Sequence, residues 1–201
     1  MWPLLTSHSL VAVAPYTLLI HYLHTTQGCK VKGWYPDVGT RPGNDSFSLG
    51  PDNTKYYNFA ISELERLVTP STKMVVMNFP HNPTGAMITP GELHRVVKVC
   101  RDNDCYLFND EMYKYLEHKS LSTLPSVATS YEKGISLGGV SKWGSLAGIR
   151  IGWIASQDEE VMKAVAQLKD YTTISASRPA EVRRRVGHVA PAPSPIPPAR
   201  F

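Results

Sequence analysis

The sequence predicts an α/β fold built on a mostly parallel sheet with one antiparallel edge strand. Three observations predict it. Short apolar runs of strand length alternate with amphipathic stretches of helix length. The run at 73–78 is apolar almost throughout, the pattern of a strand covered on both faces. The runs at 134–139 and 149–155 are joined by a connection with no helical period, so that pair is expected to run antiparallel at an edge.

Taken in order, residues 10–14 form a short β-branched run closed by Pro15, and residues 16–26 place Leu19, Ile20, Tyr22 and Leu23 as a helix would, up to Gln27-Gly28. Residues 29–34 alternate as a second strand, completing a strand–helix–strand unit with a right-handed crossover. Residues 35–55 are rich in Pro, Gly, Asp and Asn without a period. They read as a long surface excursion, a length that signals a role or a hidden element. Residues 58–68 form an amphipathic helix with Ile61, Leu64, Leu67 and Val68 on one side. After the strand at 73–78 comes the turn His81-Asn82-Pro83-Thr84-Gly85. Thr89, Pro90 and Glu92 then make a capping box that opens a helix carrying Leu93, Val96, Val97 and Cys100. Residues 105–109 are the next strand, ending on Asp110. Beyond residue 155, Ser156 with Glu159 has the spacing of a second capping box, for a helix reaching about Lys169. No internal repeat is present.

Residues 178–201 differ in kind. They hold six prolines, the triplet Arg183-Arg184-Arg185 and few large apolar side chains, and are expected to be a disordered tail following a folded unit over 1–177. The formal charge of the 201 residues is +4, and the tail's five arginines against one glutamate account for all of it. The folded part is therefore neutral, which argues against a nucleic-acid partner. Cys29, Cys100 and Cys105 are widely spaced without a C-x-x-C pair, which argues against a disulfide framework or zinc site and fits a reducing compartment. No apolar run reaches the ~18 residues of a membrane span. The Ala12-Val13-Ala14 pattern lacks the basic lead of a signal peptide. A cytoplasmic protein is expected.

Ligands of open α/β sheets bind at the carboxyl ends of the strands. Three such ends carry reactive groups here: Asn82, Asp110 and Lys142. Lys142 follows an apolar strand and is expected to be poorly solvated, which would lower its pKa and suit it as an amine nucleophile. Arg150, on the run expected alongside, offers a planar fork for a phosphate. Amine and phosphate anchor together suit a phosphorylated aldehyde such as pyridoxal phosphate. Its ring nitrogen needs a carboxylate, which Asp110 supplies, and its phenolic oxygen needs donors, which Tyr113 and Asn82 supply. Each residue also has a plainer reading: Asp110-Glu111 as a helix cap, 82–85 as a turn, Tyr113 and Tyr115 as packing residues, His81 as structural, and Trp143 as a lid or a packed aromatic.

Pro80-His81-Asn82-Pro83-Thr84-Gly85, Asn109-Asp110-Glu111-Met112-Tyr113, and Ser141-Lys142 with Arg150-Ile151-Gly152 together resemble the large domain of class I/II aminotransferases, the aspartate-aminotransferase-like, fold type I branch of pyridoxal-phosphate enzymes. The segments 61–65 and 69–73 resemble that family as well, and the likeness runs from about Val11 to Ser177. It implies a three-layer α/β/α domain and a pyridoxal 5'-phosphate cofactor. It also implies Lys142 as the Schiff-base lysine and proton carrier, Asp110 at the pyridine nitrogen, Asn82 and Tyr113 at the phenolic oxygen, and Ser141 with Arg150 at the phosphate. Gly139 stands where the family often has another phosphate-binding serine.

The resemblance implies amino-group transfer between an amino acid and a 2-oxo acid, in a homodimer. Relative to the family, the chain is expected to lack the Gly-rich phosphate turn before Leu10, the N-terminal covering segment and the C-terminal small domain with its carboxylate-gripping arginine. The shift to Arg and Pro after Ser177 reads as an altered frame or splice end. Two alternatives follow: a catalytically incompetent cofactor-binding fragment, and carbon–sulfur lyase chemistry on the same scaffold. The isolated chain is expected to transaminate weakly or not at all.

Overall fold

A computed structural model describes residues 9–13, 29–40, 55–118, 123–173 and 175–176. The elements are β1 (Ser9–Val13), β2 (Lys30–Trp34), β3 (Asp37–Thr40), β4 (Lys55–Asn58), α1 (Ile61–Leu67), β5 (Thr72–Asn78), α2 (Pro90–Asp102), β6 (Tyr106–Asp110), α3 (Val127–Ser130), β7 (Gly134–Gly139), β8 (Gly152–Ser156) and α4 (Glu159–Thr172). The helix expected over 16–26 and the tail over 178–201 lie outside the described residues.

Six strands form one sheet in the order β2-β1-β5-β6-β7-β8. β1–β2, β1–β5, β5–β6 and β6–β7 pair in parallel, and β7–β8 pairs antiparallel as the edge. Successive residues of β5 point to opposite faces, which explains its unbroken apolar run. Val75 and Met77 join Val11, Leu64, Leu93, Val96, Leu107 and Val127 on one face. Val76 packs with Leu10, Ala12 and Cys29 on the other. On the first face, α2 presents Leu93, Val96, Val97 and Cys100 as buried residues. Its start is fixed as expected, with Thr89 accepting from Glu92 N and the Glu92 carboxylate accepting from Thr89 N at 2.7 Å.

Several expectations need correction. The excursion over 35–55 contains β3 and contributes to β4, an antiparallel pair with Val38 opposite Tyr57. Both side chains are exposed, so at this position the pair shows the sequence no buried apolar residue. The helix expected from Asn58 starts at Ile61, because Asn58 closes β4. Ser156 does not cap α4. It ends β8, where its hydroxyl donates to Gly134 O at 2.7 Å, and Asp158 Oδ1 instead accepts from the Glu160 and Val161 amides. The last strand begins at Gly152 rather than Ile149, after a 3₁₀ turn over Ala147–Ile149. A Cβ at Gly152 would lie 2.9 Å from the Gly138 carbonyl oxygen, so only glycine fits there against β7.

An aromatic cluster links the sheet to the turn after β5. Phe59 meets Trp34, Phe79 and His81 edge-on, with centroids at 5.4, 5.2 and 4.9 Å. His81 is 4% exposed, and its Nδ1 lies 2.7 Å from Thr84 Oγ1. These contacts give His81 a packing role in the turn. Burial holds its pKa below the ordinary imidazole value. The native state therefore keeps His81 neutral where the unfolded chain takes up a proton, so stability falls as pH drops below about 6.5. Denaturant midpoints measured across this range are expected to decline more steeply in the natural chain than in His81→Phe; equal slopes would contradict this. At the centre of the sheet, Leu107 is fully buried. Leu107→Ala is expected to cost about 2–5 kcal/mol in urea unfolding through the cavity it leaves, against under ~0.5 kcal/mol for the exposed Leu168→Ala.

Candidate functional site

Strand register brings three carboxyl ends together. Asn78 of β5 pairs with Asp110 of β6, and Asp110 pairs with Leu137 of β7. Paired residues of parallel neighbours project to one face, so Asn78, Asp110 and Leu137 share that face.

The two acidic residues ending β6 have divided their work. Glu111, 8% exposed, binds its N–H to Leu137 O at 2.8 Å. Its Oε1 accepts from Ser136 Oγ at 2.7 Å, Val127 N at 3.0 Å and Ser126 Oγ at 3.1 Å, and its Oε2 pairs with Lys114 Nζ at 3.2 Å. Glu111 therefore supplies the cap at the start of α3 that the sequence left open between the two acids. Asp110 is also 8% exposed, and its Oδ1 accepts from Met112 N at 2.9 Å.

Lys142 lies three residues beyond the end of β7, and its ammonium sits 5.3 Å from the centre of the Tyr113 ring. The structure thus gathers Lys142, Tyr113 and Asp110 at one end of β6 and β7. Lys142 itself is exposed. The poorly solvated lysine expected from the apolar strand is not what the described residues provide, because three residues past Gly139 carry the side chain clear of the buried run. Beside it, Trp143 and Tyr115 meet edge-on at 6.0 Å, and Lys114 Nζ lies 5.8 Å from the Tyr115 ring centre. Trp143 thus packs against Tyr115.

Arg150 is not on the strand. It closes the 3₁₀ turn with φ 59° and ψ 47°, a left-handed conformation unusual for a residue with a side chain. It is exposed, and its Nη1 donates to Ala147 O at 3.2 Å. Asn82 is exposed in the turn after β5, where the Phe79–Pro80 and Asn82–Pro83 bonds are cis, and Ser141 is half-buried. Among the described residues, no hydrogen bond joins Asn82, Ser141 or Arg150 to Lys142. At Gly139 a Cβ would sit 3.0 Å from Met112 Cε and 3.1 Å from Ile151 O, so a serine there would push on Met112.

Asn78 escaped attention in the sequence as the last residue of an apolar run. It is 3% exposed, and its Oδ1 accepts no hydrogen bond from any described residue. The available signal was a carboxamide closing an otherwise apolar strand at the ligand-binding edge.

The fold agrees with the chain's relatives. The family model for class I and II aminotransferases matches residues 50–183. The chain is 32% identical over 144 residues to the aspartate aminotransferase of Bacillus subtilis, covering 69% of this chain and 36% of that protein. It is 34% identical over 137 residues to kynurenine–oxoglutarate transaminase 1 of Mus musculus, covering 63% and 31%. The crystal structure of a PLP-dependent aminotransferase from Streptococcus suis superposes with a TM-score of 0.74 at 25% identity, over 91% of this chain and 44% of that one. The chain spans about a third of the length of the curated relatives it matches. Among the described residues no helix is long and apolar enough to cross a membrane. With the motif-bearing ends of β5, β6 and β7 set side by side, and with the family model matching most of the chain, this protein belongs to the class I and II aminotransferase family.

Proposed function

We propose that residues 1–177 form a cofactor-binding unit for pyridoxal 5'-phosphate, and that the chain acts in amino-group transfer between an amino acid and a 2-oxo acid. The observation that carries this is the Lys142 ammonium over the Tyr113 ring at 5.3 Å, three residues from Asp110. The donor set suits the cofactor chemically: an amine for an aldehyde, a carboxylate for a pyridine nitrogen, a phenol and a carboxamide for a phenolate, and a guanidinium and a hydroxyl for a phosphate.

When bound, the cofactor supplies the electron sink that makes loss of the amino acid's α-proton possible. The protein's part is to bind, orient and move protons. Asp110, fixed by Met112 N through one oxygen, is assigned to hold the ring nitrogen's proton. Asn82 and Tyr113 are assigned to the phenolic oxygen, and Ser141 and Arg150 to the phosphate. The strained backbone at Arg150 supports that assignment, since such conformations collect at ligand-binding positions. Lys142 would hold the cofactor's aldehyde through its ε-amine, and its amine, when free, is the group that would move a proton at the substrate.

A second reading, binding without turnover, is favoured by one observation. Lys142 and Arg150 are both exposed, whereas efficient chemistry of this kind excludes water from the reacting groups. The relatives' names span aspartate and kynurenine as substrates, so the substrate is left at the level of an amino acid. The resemblance implies a homodimer, and that is the assembly we propose.

Titration of the purified chain with pyridoxal 5'-phosphate, followed by absorbance and combined with sizing, tests the proposal. A saturable visible band is expected, lost in Lys142→Ala, and weakened about tenfold or more in Asp110→Ala by loss of one charge-assisted hydrogen bond. An identical band in Lys142→Ala would overturn the assignment. A band without amino-group transfer to a 2-oxo acid would select the second reading.

A further inference from the structure

Asn78 holds an unmet hydrogen bond at the edge where the cofactor is proposed to bind. Its side chain is 3% exposed, and Oδ1 accepts from no described residue. Its cross-strand partner is Asp110, so carboxamide and carboxylate stand side by side on one face at the carboxyl end of the sheet. A buried carbonyl without a donor costs stability, and a leucine would fill the position without that cost. The neighbouring buried polar side chains are committed elsewhere: Asn109 Oδ1 accepts from Phe79 N at 3.1 Å, and Ser136 Oγ donates to Glu111 at 2.7 Å. Glu117 Oε1 is the other such atom among the described residues, but its carboxylate already accepts from Thr123 Oγ1 through Oε2.

Building on the proposed cofactor site, we infer that Asn78 is a further residue of that site, its carboxamide oxygen sharing with Asp110 the N–H of a protonated heteroaromatic ring. The hydrogen bond missing from the protein is then supplied by the ligand. Asn78 costs the ligand-free protein stability, and that cost is returned as affinity when the ring binds.

The test uses Asn78→Leu and Asn78→Ala in the full chain, with Asp110→Ala as a control, and reads two quantities. One is the thermal midpoint without cofactor. The other is the dissociation constant, by absorbance, for pyridoxal 5'-phosphate and for its ring-carbon analogue, in which C–H replaces the ring nitrogen. Asn78→Leu is expected to keep or raise the ligand-free midpoint while weakening pyridoxal 5'-phosphate binding about tenfold. For the ring-carbon analogue, natural chain and variant should bind alike. Asn78→Ala is expected to show the same ratio between the two ligands even where its cavity lowers the midpoint. Unchanged affinity in both Asn78 variants, with Asp110→Ala weakened, would overturn this inference and leave the cofactor site standing. Equal loss for both ligands would reduce Asn78 to a structural residue and overturn it too. Failure of the natural chain to bind either ligand would overturn the cofactor site and this inference together.

Discussion

The buried carboxylate of Glu111 holds the candidate site in register. By accepting from Ser136 on β7 and from Ser126 and Val127 at the start of α3, while its own N–H binds Leu137 O, it ties the end of β6 to the end of β7 and to the helix beneath. A carboxylate with several donors in a low-dielectric surrounding is a strong and directional fastener. Its neighbour Asp110 is thereby placed between Asn78 and Leu137, with a fixed oxygen on Met112 N. The positions of Tyr113 and Lys142 follow, since each lies three residues beyond the end of a strand that Glu111 fastens.

Rigidity and exposure are distributed unevenly around this point. The strand ends and Glu111 are buried, whereas Lys142, Arg150 and Asn82 are exposed. The buried part fixes the carboxylate end of the site. The exposed part leaves the amine and the guanidinium on turns, where Arg150 holds a left-handed backbone and donates to Ala147 O. This division suits the proposed site, in which the sheet would define where a ring sits and the surrounding turns would supply the groups that engage its substituents.

Much of this was legible in the sequence, and the reasons differ by residue. The strand at β5 announced itself because both its faces are buried, and α2 because its cap and its apolar stripe agree. Asp110, Tyr113 and Lys142 stand out in the sequence by side-chain type and order, and the fold brings the Lys142 ammonium to the Tyr113 ring. Where tertiary contacts decided between local possibilities, sequence reasoning fell short. Ser156 and Asp158 both have capping chemistry, and the Ser156 hydroxyl's hydrogen bond to Gly134 O takes it away from the helix start. Arg150 was expected on a strand because spacing does not reveal a 3₁₀ turn. Lys142 was expected in a dry setting because the run before it is buried, but solvation depends on what surrounds the side chain rather than on what precedes it. The β3–β4 pair was hidden because its apolar side chains Val38 and Tyr57 are exposed.

One amine, Lys142, is singled out by its place over the Tyr113 ring, three residues from Asp110. Exposed lysines elsewhere, such as Lys98 and Lys163, offer the same functional group without that setting. Reducing the protein with borohydride in the presence of limiting pyridoxal 5'-phosphate, then mapping the labelled peptides by mass, compares them directly. Label is expected to concentrate on Lys142; label spread evenly over the surface lysines, or absent from Lys142, would contradict that role.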